Sequence, residues 1–267
     1  MIKIKKNLEE VPISLIPAFN DLFLKTGQIP QTTFTTHQKR MDIIKNKTYN
    51  DKYSERYKLD DVRDSLIAIY KYKCAYCEQK MERYNVEHYR PKKIYYWLAF
   101  SWDNLIMACP TCNGYKGTHF DLPIGNTRIS FKNTEANIRL INLSSSKYDA
   151  IEKPKLVNPE VTDPSGLIRF QISGRIESQD ERFKYTIAKC QIDRKYLNDD
   201  RRKILNVFKR DICSAMLISD SNERLLCIKM IVSKFINDSR DEELPFLAFR
   251  RFAIENMWLN NFIKEMN

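Results

Sequence analysis

The sequence predicts an α+β fold, with a small β-ribbon module bracketed by cysteines and a mainly α-helical C-terminal region. Three observations carry this. Cys74 and Cys77 pair with Cys109 and Cys112 as two CxxC motifs. Leu167 to Ile172 alternates apolar and polar residues ahead of the turn signal Ser173-Gly174. From about residue 180 onward, apolar residues recur at helical spacing.

Four regions follow in order. Residues 1–58 form a polar, mixed leader. Within it Ile13 to Leu24 has helix-like apolar spacing broken by Pro17, and Gly27 to Thr36 is threonine-rich and reads as loop. Residues 59–125 hold the cysteine-bracketed module. It opens on a helix near Asp60-Asp61, with Val62, Leu66, Ile69 and Tyr70 at helical spacing and two carboxylates suited to a helix start. Residues 126–179 are a loop-rich linker, with prolines, a serine cluster at 144–146, and a β-hairpin ending in Arg175-Ile176-Glu177. Residues 180–267 are helical. A short helix near 181–190 precedes three long candidates: Arg194 to Ile218, Glu223 to Ile236, and Leu244 to Lys264.

The chain has 267 residues, enough to bury one large core or two modest ones. With only 6 glycines and no GxxxxGK[ST] or GxGxxG, a nucleotide-binding loop is not expected. The formal charge of +11 and the pI of about 9.2 favour a polyanionic partner. No stretch approaches the roughly 20 apolar residues of a membrane span, and no apolar run follows the basic start, so neither a membrane anchor nor a signal peptide is expected. A cytoplasmic location is expected, where 7 cysteines point to metal binding or core packing rather than disulfides.

Each CxxC makes a tight knuckle with both sulfurs on one side. Two knuckles supply four sulfurs in a tetrahedron, the closed geometry of structural Zn2+. The insert between the pairs exceeds the roughly 15–20 residues of a simple ribbon, so something is built inside it. Cys190, Cys213 and Cys227 lie in helical patterns and read as core.

The insert contains Asn85-Val-Glu-His-Tyr-Arg-Pro-Lys92, then Trp102-Asp-Asn-Leu-Ile-Met-Ala-Cys109, then Cys112-Asn-Gly-Tyr-Lys-Gly117. Phosphodiester hydrolysis needs a base for water and a cation for the phosphate charge. His88 suits the base, and Glu87 is a hard oxygen ligand suited to Mg2+ or Mn2+. Adjacent strand residues face opposite ways, so aiming both at one phosphate calls for a bend or bulge.

Glu-His, then Asn-Leu, then CxxCNxxK between zinc knuckles resembles the ββα-metal motif of HNH endonucleases. The resemblance implies a metal-dependent endonuclease acting on DNA. Glu87 is then the first metal ligand, His88 the general base, Asn104 the residue that orients it and Asn113 the second metal-binding residue. Lys116 is a basic residue near the phosphate. CAYCE at 74–78, VEHYRPK at 86–92, WDNLIMACPTCNGYKG at 102–117, Phe-x-Leu-Pro at 120–123, Asn158-Pro159 and Gly174-Arg175-Ile176 narrow the likeness. Over roughly residues 60–210 the chain resembles the PtuB-like family of Septu and related retron antiphage systems. Its members work beside an ATPase partner (PtuA in Septu), which the leader and last helices would dock.

Some residues have two readings. Asn104 either orients the base or satisfies backbone groups in a turn, and Asn113 either binds metal or caps a helix. Arg90, Lys92, Lys93 and Lys116 either contact phosphates or form a solvated face. His119 is a further metal ligand, a phosphate contact or a polar loop residue. Tyr95, Tyr96 and Trp97 read first as the packing face of the ribbon and second as base-stacking residues. The basic run from Arg194 through Arg201 to Arg210 reads as an exposed helix face or as a docking face for nucleic acid or a partner. A zinc-ribbon binding module without catalysis is the rival function.

Overall fold

The computed structural model describes residues 1–19, 34–131 and 145–266. Two short two-stranded antiparallel sheets sit among helices, and one continuous core runs through all of them. Residues 20–24 of the Ile13–Leu24 run and residues 27–33 of the Gly27–Thr36 loop lie outside the described residues, as does Ser144 of the serine cluster.

The N-terminal segment is woven into the core. Met1, Ile4 and Leu15 are buried, and the Ile13 run forms a single 3-10 turn, Ile13–Leu15. The Lys6 ammonium lies 3.8 Å above the Trp102 ring and donates to the carbonyls of Trp102 and Leu105, at 2.7 and 2.6 Å. A helix that apolar periodicity does not announce follows: α1, Thr36–Asn46. Its start is written in a capping box, Thr35 accepting from Gln38 N while the Gln38 side chain accepts from Thr35 N.

Helix α2, Asp60–Tyr70, begins at the two aspartates and buries Val62, Leu66 and Tyr70 on one face. Lys71 and Tyr72, at φ 51° and 58°, end it and turn the chain into the first knuckle. Strands β1, Asn85–His88, and β2, Leu105–Ala108, pair in unbroken register, with Glu87 opposite Ile106 and His88 opposite Leu105. Helix α3, Pro110–Lys116, follows directly. This strand–strand–helix order is the expected ββα arrangement. Tyr95 and Trp97 are packing residues as expected, but they lie in the loop between the strands and not on the ribbon.

A helix appears where loop was expected: α4, Ser145–Glu152. Asp103 accepts from both the backbone N and the hydroxyl of Ser146 at its start. The hairpin forms as predicted, with β3, Ile168–Phe170, against β4, Ile176–Ser178. The helical region comprises α5, Glu181–Lys189; α6, Lys195–Met216; and α7, Ser221–Asp238.

The predicted helix Leu244 to Lys264 is in fact two, α8, Leu247–Glu255, and α9, Trp258–Met266. Met257 breaks it at φ 57°, and Trp258 folds back so that its ring meets Phe249 and Phe252 at 5.9 and 5.5 Å. Aromatic packing overrides a helical pattern that could have run on. Of the three remaining cysteines only Cys190 is fully buried; Cys213 is exposed and Cys227 half-buried. Among the described residues no helix is long and apolar enough to cross a membrane.

The hairpin turn presses against α6. Gly174 has φ +87°, and a Cβ there would lie 2.0 Å from the Asn198 carbonyl oxygen. Gly174→Ala is expected to cost about 2–3 kcal/mol through overpacking and an unfavourable φ. Urea denaturation checks it, and a cost below about 0.5 kcal/mol contradicts the packing described.

Candidate active site

The four cysteines converge. Their ligand atoms all lie within 4.8 Å of one another and all four side chains are buried. The first knuckle is pinned by Ala75 N donating to the Met107 carbonyl at 2.8 Å. In the second, Cys109 caps α3, its sulfur accepting from Cys112 N at 3.3 Å. Four buried sulfurs in one cluster are a donor set that fits a tetrahedral metal and leaves no open position for chemistry.

Close to the cluster, β1 and α3 line a cavity of about 650 Å³. Glu87, His88 and Asn113 all open onto it, with Lys92 and Lys93 among its walls. No bulge is needed. The consecutive β1 residues Asn85, Val86, Glu87 and His88 all line the cavity, and among the described residues β1 pairs with β2 alone. Asn113 lies within α3 and caps nothing, since Cys109 holds that position.

The His88 ring is fixed on two sides. Its Nε2 lies 3.0 Å from the Ala99 carbonyl, and it packs T-shaped with the Tyr57 ring, centroids 4.6 Å apart and interplanar angle 87°. A carbonyl only accepts, so Nε2 carries the hydrogen and Nδ1 keeps its lone pair. Burial lowers the pKa of His88 to about 3, which leaves the imidazole neutral near pH 7. Burial also raises the Glu87 carboxyl above its usual value, while the Lys116 ammonium, paired with it, pulls the other way.

Asn104 acts at one remove. No hydrogen bond to His88 is among its contacts. Its carboxamide oxygen accepts from Arg90 N at 2.7 Å, and its amide donates to the carbonyls of Arg90 and Leu98 at 3.1 and 3.3 Å. It therefore braces the loop that presents the Ala99 carbonyl to His88.

Two expected phosphate contacts are corrected. Arg90 is fully buried and ion-pairs with Asp149 and Glu152 of α4. Lys116 is equally buried, its ammonium held by Glu87 and, at 2.8 Å, by the His88 carbonyl. Neither cation is free to meet a strand in solvent. Lys93 is exposed, and Lys92 donates to the Tyr57 hydroxyl at 2.8 Å with part of its side chain open. His119 is exposed on the loop after α3 and outside the cavity lining. The cavity adds Tyr57, Lys58, Arg63 and Tyr84, which sequence reasoning did not single out. Only a local excess of Lys, Arg and Tyr hinted at them, since they come from the segments before and after the first knuckle.

If Arg90 is a structural cation, Arg90→Met strands the buried Glu152 and the partly buried Asp149 and costs about 3–5 kcal/mol in urea denaturation. Full stability with weakened DNA binding would instead make it a phosphate contact.

Comparison with known proteins agrees with this geometry. The HNH endonuclease family matches residues 74–119, which run from the first knuckle past α3. The Septu protein PtuB of Bacillus mycoides (strain KBAB4) is 27% identical over 223 residues, covering 76% of this chain and 67% of that protein. The Septu protein PtuB of Bacillus thuringiensis is 39% identical over 62 residues, which span 22% of this chain and 24% of that one. No solved structure matches. Residues 74–119 thus match the HNH endonuclease family, and over 76% of its length the chain is similar to a Septu protein PtuB.

Proposed function

We propose that the chain hydrolyses DNA phosphodiester bonds with a divalent ion, as the nuclease of an antiphage defence system, beside an ATPase partner of the PtuA type. The observation that carries the chemistry is the single cavity lined by Glu87, His88 and Asn113, with Lys92 and Lys93 in its wall. The defence setting and the ATPase rest on the likeness to Septu PtuB.

His88 is the general base. Its Nε2 is occupied by the Ala99 carbonyl, so Nδ1 takes the proton as water attacks phosphorus and the 3′ oxygen departs. Burial keeps the ring neutral near pH 7, with the Nδ1 lone pair unprotonated. Glu87 and Asn113 offer two oxygen donors on one wall, which suits Mg2+ or Mn2+, ions that complete their shell with water and substrate phosphate. Such an ion supplies Lewis-acid stabilisation of the phosphate charge and of the leaving oxygen. Lys116 holds Glu87 in place and fixes the His88 carbonyl, so it is a positioning residue. Asn104 positions His88 through the loop. Lys93 and Lys92, with Lys58 and Arg63, offer the positive wall along which a phosphate backbone lies. The four-cysteine cluster takes Zn2+ in a structural role.

Plasmid cleavage with Mg2+ or Mn2+, in the presence of the neighbouring ATPase, tests the assignment. His88→Ala is expected to lose about 10²–10⁴ in rate with DNA binding retained. Cleavage by His88→Ala at the wild-type rate rejects His88 as the base.

A further inference from the structure

We propose that Arg194 is a positioning residue for the four-cysteine metal centre, holding two of its sulfurs and coupling metal retention to the seating of the C-terminal helices. Sequence alone placed Arg194 in a basic, solvated helix face. Instead its Nη1 lies 3.4 Å from Cys112 Sγ and its Nη2 3.9 Å from Cys109 Sγ. The inference rests on the reading of the cysteine cluster as a metal site.

Four thiolates around a divalent ion carry a net charge of −2, by simple sum, in a buried place. A guanidinium against two of the sulfurs offsets part of that charge. Its N–H groups also occupy sulfur lone pairs, which lowers the readiness of those sulfurs to take a proton or leave the metal. Outer contacts of this kind hold metal ligands in orientation and retain the ion. Arginine suits the place because its rigid fork reaches two sulfurs at once, where a lysine ammonium is a single point charge.

The backbone that delivers Arg194 is pinned from both sides. Ile176 N donates to the Asp193 carboxylate at 2.9 Å, from the hairpin. Arg201, buried on α6, donates to the Gly174 and Ile192 carbonyls at 3.0 and 3.1 Å. Asn198 donates to the Asp193 carbonyl at 2.9 Å. Hairpin and α6 thus fix the residue just before Arg194, and Arg194 passes that constraint to the second knuckle. Cys109 caps α3 and Cys112 lies in its first turn, and this helix carries Asn113 to the cavity.

The test uses the full chain loaded with Zn2+, and separately with Co2+, and follows metal transfer to a chromophoric chelator. Arg194→Met is expected to release zinc about tenfold to a hundredfold faster than wild type. Its Co2+ sulfur-to-metal charge-transfer band should also shift. Arg194→Lys should fall between the two, and it keeps the test open should the methionine variant fold poorly. Arg202→Met, which removes only an exposed pair with Asp199, should release zinc at the wild-type rate. Wild-type release rates and an unmoved Co2+ band in both Arg194 variants overturn the proposal while leaving the metal site standing. A wild-type chain that takes up neither ion at the cysteines overturns the metal reading and this inference together.

Discussion

Four sulfur atoms within 4.8 Å of one another tie the turn after α2 to the first turn of α3. Most of what lines the cavity is built between or beside those two ties. The ribbon itself is only two strands of four residues each, and a pair that short does not hold its shape alone in water. Closing both ends of the insert fixes β1 against α3, and hence Glu87 and His88 against Asn113. The constraint is geometric, since four clustered sulfurs leave a tetrahedral metal no open position.

Around that closure the molecule is fastened by buried charge as well as by apolar packing. Arg90 lies two residues past His88 and reaches Asp149 and Glu152 on α4. Glu152 also accepts from the Tyr95 hydroxyl at 2.9 Å and from Ile129 N at 2.6 Å. Asn104 closes the same loop from inside. The loop between the strands is thereby a rigid frame, and its Ala99 carbonyl sets which nitrogen of His88 is free. Such buried networks are costly to break singly, because each partner left behind is a charge or donor without water.

The parts legible in the sequence were those whose signal is local. Two CxxC pairs, Glu87-His88, a period-two run with Ser173-Gly174, and the aspartates at the start of α2 each declare themselves within a few residues. The misread parts depend on distant partners. Helix α4 has weak periodicity in a proline- and serine-rich stretch, and its ties run to Arg90 and Asp103. Arg90, Lys116, Arg194 and Arg201 look alike on paper to any surface cation. Their commitment to buried carboxylates, carbonyls or sulfurs exists only in three dimensions. Helix α1 was readable after all, from the Thr35-x-x-Gln38 capping box, but its helical face is too polar to draw notice. The break at Met257 was not, because Trp258 folding onto α8 is a packing outcome.

The central claim is that one closed cysteine cluster holds an open carboxylate–histidine–amide site at a phosphodiester. Anomalous diffraction from crystals of the full chain, grown with Zn2+ and Mn2+ and recorded at both absorption edges, tests it most directly. The account predicts zinc among the four sulfurs and manganese in the neighbouring cavity against Glu87 and Asn113. A cavity without manganese, or manganese held away from both residues, contradicts it.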